Sequence, residues 1–419
     1  MQIEQFSNLA DFETSLDRLA QVAVLTGLGL APGQELVITA PLAAVPLTRR
    51  ITEHAYKAGA SLVTVLFTDE EMAKLRFRYG PDLSFDSAMG WLYEGMAQAF
   101  RGGAARLAVV GDDPFLVANE DPDKVARVNR AVSKAYRPAR ELILRHEVNW
   151  SIVPYATPAW ARAVFPDPAQ DEALAQLWKV VFAASRVDRP DPVAAWREHD
   201  SALHARADWL SRMRYSALHF RGPGTDLRVG LADDHLWLGG GTTARNGRYC
   251  VCNVPTEEVF TMPHKDRVDG HAVSTKPLAY QGTIIEDISV RFDAGQIVEA
   301  HAKRGDRVLQ KMLETDDGAR RLGEVSLVPH SSPIASSGLL FMSTLFDENA
   351  ACHIALGHAY SACVRDGDTL PQEQLDSRGA NTSLIHVDWM IGSNRIDVDG
   401  ITLGGDSVPV MRAGEWVLP

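Results

Sequence analysis

The sequence predicts an α/β N-terminal domain with a largely parallel sheet, followed by a β-rich α+β C-terminal domain. Three observations predict this. In the first half, short β-branched runs alternate with stretches of helical apolar spacing, the signature of βαβ units. After Ser216 the helical spacing thins, and strand-like runs lie between Gly, Asp and Asn turns. The chain has 419 residues, more than one hydrophobic core usually supports, so two domains are expected.

The elements follow in order. Residues 9–28 repeat apolar positions at helical spacing, APG punctuates, and ELVITA reads as a strand. A helix over 45–58 leads through Gly59 to the strand SLVTVLF. A helix near 87–100 precedes the strand ARLAVVG, which GDDP ends. A long amphipathic helix over 122–145 precedes the strand NWSIVPYA. Residues 171–214 are expected to be helical, with a hinge at RVDRPDPVAAWRE. The strand candidates then become ALHFRG, DLRVGL, HLWLGG, RYCVCNV, TIIEDISVRF and QIVEAHA, with one helix from residue 304 to 314, extendable to 322. The domain boundary is expected near 205–215, giving domains 1–210 and 211–419.

Composition narrows the function classes. Hydrophobic content of 46% and charged content of 23% are ordinary for a globular chain. A net charge of −12 without a Lys/Arg cluster makes nucleic acid and anionic membrane surfaces poor partners. The start MQIEQFSNLADFE lacks the basic and apolar segments of a signal peptide, and no apolar run approaches the length of a membrane span. Four cysteines in so long a chain do not make a disulfide framework, and Cys250 and Cys252, spaced CxC, read as small buried hydrophobes. A cytoplasmic location is expected.

Several familiar motifs are absent. No GxGxxG or GxxxxGK[ST] marks a nucleotide site, no GxSxG marks a serine hydrolase, and no HExxH marks an ordinary zincin. GGGTTARNG (239–247) reads as a loop joining two strands. Asp397-Val-Asp399-Gly400 reads as a DG hairpin turn between NRIDV and ITLGG.

What remains is a set of acids and histidines flanked by apolar residues in the second half. Glu257 and Glu258 lie in NVPTEEVFTMP, Glu324 in RRLGEVSLVP, and Asp347, Glu348, His353 and Tyr360 in DENAACHIALGHAY. His386 and Asp388 lie in SLIHVDWMIG, where i, i+2 spacing on a strand aims both at one point. Burying such groups without partners costs several kcal/mol each, on the order of 2–7. Divalent metal ions are the economical compensator, because carboxylates and imidazoles are their oxygen and nitrogen ligands.

These segments, with VDGHAVSTKPL and NWSIVPYATPAWARAVFP, resemble the M29 family of metalloaminopeptidases, the aminopeptidase T and aminopeptidase S type, over the whole chain. The resemblance implies removal of single residues from peptides with a free N-terminus, by a cytoplasmic homodimer holding two divalent ions (Zn, Co, Mn or Mg). It implies Glu258, Glu324, His353, His386 and Asp388 as metal ligands, with Glu348 a sixth. Of the adjacent Glu257 and Glu258, the family's spacing back from Glu324 favours Glu258 as the ligand. Tyr360 matches a tyrosine beside the metals and is the candidate oxyanion donor. Glu257 or Glu348 is the candidate general base. Asn349 and His358 carry no assigned role, and His264 stands where an acid is expected in relatives. The alternative is a mononuclear iron ring-cleaving dioxygenase of related fold, needing only His353, His386 and Asp388.

Overall fold

In the computed structural model, residues 9–280 and 282–417 are described. They divide into two compact units, one of residues up to 198 together with Gly241–Pro255, the other His199–Gly240 with Thr256–Pro419. No described helix is long and apolar enough to cross a membrane.

The first unit is built from α1 (Leu9–Val22), β1 (Glu35–Pro41), α2 (Val45–Lys57), β2 (Leu62–Thr68), α3 (Glu70–Tyr79), α4 (Gly90–Arg101), β3 (Ala105–Val110), α5 (Pro122–Leu144), β4 (Trp150–Pro154), α6 (Pro158–Val164), α7 (Gln170–Ala184) and the start of α8 (Pro192–Met213). Its strands form one sheet in the order β2-β1-β3-β4, every pair parallel. Local chemistry fixes the helix starts. Asp121 accepts from the Asp123 amide with Pro122 in the first turn of α5, and Thr157 accepts from the Trp160 amide ahead of α6. α4 and α5 bury Met96, Phe100, Ala139 and Ile143 against Val37 of β1. The segment before Pro255 returns to this unit, where the Ile152 amide donates to Cys252 O at 2.8 Å and the Ile152 carbonyl accepts from the Val254 amide at 3.0 Å. α8 runs through residue 210, the expected domain boundary, and ends at Met213.

The second unit adds β5 (Ala217–Gly222) and β6 (Thr225–Leu231), and after the short first-unit pair β7 (Thr242–Thr243) and β8 (Tyr249–Cys250) continues with β9 (Val259–Thr261), β10 (Pro263–Val273), β11 (Leu278–Tyr280), β12 (Thr283–Ile285), β13 (Ser289–Asp293), β14 (Gln296–His301), α9 (Asp306–Leu313), β15 (Leu322–Leu327), β16 (His353–Gly357), β17 (His386–Met390), β18 (Asp397–Ile401), β19 (Ser407–Arg412) and β20 (Glu415–Trp416). Eight strands form an antiparallel sheet, β14-β13-β10-β6-β5-β18-β19-β20, and four form a second, β17-β16-β15-β9. One apolar core joins them, including Leu218, Phe220, Val325, Ile354, Leu356 and Trp389.

Some expectations need correction. HLWLGG is not a strand; it makes only isolated bridges, His235 to Val364 and Leu238 to Phe260. TIIEDISVRF breaks into β12 and β13 around Asp287, whose φ of 52° takes the chain out of extended geometry. DVDG is no turn: Asp399 and Gly400 lie inside β18. Gly400 is required there because a Cβ would stand 2.4 Å from the Tyr215 ring. Asp399 is tolerated because Arg221 and Arg412 pair with it. The helices α3 and α6 were not expected.

Candidate metal centre

The four-stranded sheet positions the site. Across it Glu324 pairs with Ala355 and Ala355 with Asp388, while Gly357 pairs with His386 and His353 with Ser326. Because side chains alternate along a strand, Glu324 and Ser326, His353, Ala355 and Gly357, and His386 and Asp388 share one face. The opposite face carries Val325, Ile354, Leu356, Val387 and Trp389 into the core. Ala355 and Gly357 give the polar groups room to converge over the middle strand. Gly357 has a further reason to be glycine: at φ +102° a Cβ would meet the Ile385 carbonyl at 2.1 Å.

Glu258 enters from the extended segment just before β9. Its Oε2 accepts from Ser326 Oγ at 2.8 Å and lies 3.2 Å from His353 Nε2. Glu257, its neighbour, points the other way, with Oε2 3.6 Å from His199 Nε2. Glu324 faces both imidazoles, with Oε1 3.4 Å from His353 Nε2 and Oε2 3.6 Å from His386 Nε2. Asp388 Oδ1 lies 3.5 Å from His386 Nε2 and 3.9 Å from His353 Nε2. Each imidazole has its other nitrogen against a carbonyl: His353 Nδ1 faces Ala351 O at 3.2 Å, and His386 Nδ1 faces His358 O at 2.7 Å. A carbonyl only accepts, so Nδ1 carries the proton and the Nε2 lone pair is offered to the cluster, as in metal-ligating histidines.

Among the described residues, two donor groups result, Glu258–Glu324–His353 and Glu324–His386–Asp388, each with ligand atoms within 4.8 Å of one another. Glu324 belongs to both. Glu348 stands outside both groups, but its carboxyl is pushed well up, first by burial and then by the charges of Glu258 and Asp388. The Tyr360 ring lies 4.7 Å from that of His386. Burial, then the charges of Glu324, Asp388, Glu348 and Glu258, raise its phenol pKa far above the usual value, so the hydroxyl remains a donor.

The electrostatics test whether cations suit this set. Burial pushes Glu324 up to about 7, aided by Asp388 and Glu258 and opposed by the hydrogen bond from His353. Burial would depress His386, but Asp388 and Glu324 outweigh it and raise the imidazole to about 9. Burial would likewise raise Asp388, yet the His386 charge and hydrogen bond hold it low. The acids thus outnumber the imidazoles in a buried setting, and the chain alone offsets the excess by taking up protons. Asp388 Oδ1 is buried, and the imidazole nitrogens facing it stand 3.5 and 3.9 Å away, longer than a close hydrogen bond. Divalent cations offset the same charge directly and use the same lone pairs, so the donor set fits them.

Sequence reasoning missed the groups that hold this arrangement. Asn349, fully buried, accepts from the Glu257 amide at 2.7 Å and donates to Leu345 O at 3.1 Å and Glu348 Oε1 at 3.4 Å. It therefore ties the segment carrying Glu258 to the turn carrying Glu348. Ser326, by contrast, is a small polar residue one pleat from Glu324, a signal the i, i+2 argument could have caught. His264, where an acid was expected in relatives, is buried against Gly379.

Comparison with known proteins agrees with this geometry. The family model described as thermophilic metalloprotease (M29) matches residues 12–416. Aminopeptidase T of Thermus thermophilus is 51% identical over 407 residues, 97% of this chain and 99% of that protein. Aminopeptidase 2 of Geobacillus stearothermophilus is 43% identical over 405 residues, covering 97% and 98%. The solved structure of wild-type AmpT from Thermus thermophilus superposes with a TM-score of 0.93 at 50% identity, covering 97% of this chain and 100% of that one. The dioxygenase alternative is not supported: these relatives are aminopeptidases, and Glu258 and Glu324, which it left idle, sit in the donor groups. The chain belongs to the M29 family of metalloproteases.

Proposed function

We propose that the protein is a metal-dependent aminopeptidase that hydrolyses the N-terminal peptide bond of peptides at a two-metal centre. The observation that carries the reading is the shared carboxylate, Glu324, whose two oxygens face the two imidazoles in overlapping donor groups. One divalent ion would be held by Glu258, Glu324 and His353, a second by Glu324, His386 and Asp388, with Glu348 as a sixth ligand or the base. When bound, such ions supply Lewis acidity and lower the pKa of water towards neutrality.

The remaining roles fall to the chain itself. Of the two carboxylates considered as general base, Glu257 is turned towards His199, whereas Glu348 feels the charges of Glu258 and Asp388. We assign Glu348 to take the proton from the attacking water and pass it to the leaving amine. Glu257, its amide on Asn349, holds the neighbouring Glu258 in place. Tyr360 donates its phenol proton in a hydrogen bond to the oxyanion of the tetrahedral intermediate, a contribution of about 2.7–4 kcal/mol. The cluster's negative charge draws the substrate's protonated α-amino group, which selects the first peptide bond.

We further infer that the enzyme works as a homodimer in the cytoplasm, a reducing compartment in keeping with its four free cysteines. The test is a panel of fluorogenic aminoacyl substrates, run after chelation and again with Zn, Co, Mn or Mg restored. Metal-dependent turnover that disappears when the substrate α-amino group is acetylated is expected. Cleavage indifferent to acetylation would refute the aminopeptidase reading.

A further inference from the structure

Reading Cys250 and Cys252 as small hydrophobes explains their burial but not their neighbours. Both lie in the segment that returns to the first unit, Cys250 at the end of β8 and Cys252 in the bend after it. The backbone bonds of Ile152 to Cys252 and Val254 lay this segment along the outer edge of β4. There the Trp150 amide donates to the Cys250 sulfur, and the Cys252 thiol hydrogen-bonds to the same atom. Arg106, directly across from Trp150 in β3, has its Nε buried without a hydrogen-bond partner. The charges that act on its guanidinium are those of Tyr136 and Cys252, with no carboxylate among them. A guanidinium in that position favours negative charge beside it, and the thiol pair is placed to carry one.

These contacts give the two thiols different parts. The hydrogen bond from Cys252 holds Cys250 below the ordinary thiol value; burial opposes it and the Trp150 amide supports it. Cys252, the donor, keeps its proton, and it is half-buried where Cys250 is fully buried. A thiolate with a second thiol against it is the arrangement that closes to a disulfide, because the first oxidation product meets its partner at once. Cys352 and Cys363 lack that arrangement: both are buried, and burial raises both thiols. Two residues of chain hold the Cα atoms at most about 7 Å apart, against a disulfide span of about 4.4–6.8 Å, so only a small contraction closes the bond.

We propose that Cys250 and Cys252 form a peroxide-reactive modification site that closes reversibly to a disulfide. The Cys250 thiolate attacks one oxygen of hydrogen peroxide and breaks the O–O bond. The other oxygen takes up the proton that Cys250 released and leaves as water, and Cys250 becomes a sulfenic acid. The Cys252 sulfur then attacks the Cys250 sulfur, and its thiol proton departs with the hydroxyl as a second water. Two thiols and one peroxide thus give one disulfide and two waters, and a dithiol reductant reverses the step. The test treats the full-length protein with hydrogen peroxide, alkylates the remaining thiols after denaturation and maps the peptides by mass spectrometry. The peptide carrying Cys250 and Cys252 should lose two hydrogens and both alkylation sites, about ten-fold faster than Cys352 or Cys363 is modified. Dithiothreitol should restore it. Cys252→Ser should stop at a Cys250 sulfenic acid that dimedone captures, and the wild-type map decides the matter should that variant fail to fold. A pair that stays alkylatable while Cys352 or Cys363 oxidises overturns the proposal. So does a disulfide that joins either cysteine to a different one, or a folded Cys252→Ser protein that dimedone does not label.

Discussion

Glu324 is the residue on which the proposed site should depend most, since among the described residues it alone belongs to both donor groups. Glu324→Gln keeps the shape and removes the charge. It is expected to abolish hydrolysis of aminoacyl anilides and lower bound metal, with the fold retained by circular dichroism. His353→Ala should behave alike. Unchanged turnover in metal-replete buffer would sink the assignment of these ligands. Tyr360 is expected to separate from them: Tyr360→Phe should lower kcat by about 10²–10³ while metal content stays constant. Loss of metal in that variant would make Tyr360 a ligand instead. At this scale, the sequence revealed the groups whose chemistry stands out locally. The i, i+2 pair His386 and Asp388 is legible because strand alternation needs no distant information. Asn349 was not legible, because its bond to the Glu257 amide joins positions 92 residues apart.

The elements show a similar division. The parallel strands of the first unit are legible because each is a short, largely apolar run lying between turn or helix signals. α3 was not, because Met72, Leu75 and Tyr79 are exposed while Phe77 is buried, a pattern that does not match a helix packed on its own domain. DVDG misled for the converse reason. Asp-Gly normally marks a turn, but in β18 the aspartate is buried between the guanidinium groups of Arg221 and Arg412 and the glycine packs on Tyr215. Burial would raise Asp399, yet hydrogen bonds from Arg412 and Ser407 and the charges of Arg412 and Arg221 hold it below the usual carboxylate value. A carboxyl lowered in the folded state adds stability above its unfolded pKa, and that stability is lost as pH falls through the folded value. Asp399→Asn should therefore cost about 1.5–3 kcal/mol at neutral pH. The difference in denaturation midpoint between variant and wild type should shrink as pH is lowered from about 6 towards 3. A difference independent of pH would show that the pair contributes packing alone.

On the scale of the whole molecule, the two-unit layout follows from length and from the change of pattern after Ser216. What the sequence did not reveal is that residues 241–255 rejoin the first unit, since a returning segment leaves no compositional mark. The candidate metal cluster lies within the second unit and concentrates like charge there, so cation binding is expected to be coupled to folding. Chelation is expected to lower the thermal midpoint by roughly 5–10 °C, the effect of losing a ligand held at about a hundred times its dissociation constant. Equal midpoints with and without chelator would contradict that coupling.

The overlapping donor groups around Glu324 are proposed to hold two catalytic cations. The most direct measurement titrates a divalent metal into chelated protein while following hydrolysis of an aminoacyl substrate. Activity is expected to rise until two equivalents are bound per chain and then level off. Full activity at one equivalent, or with none, would contradict it.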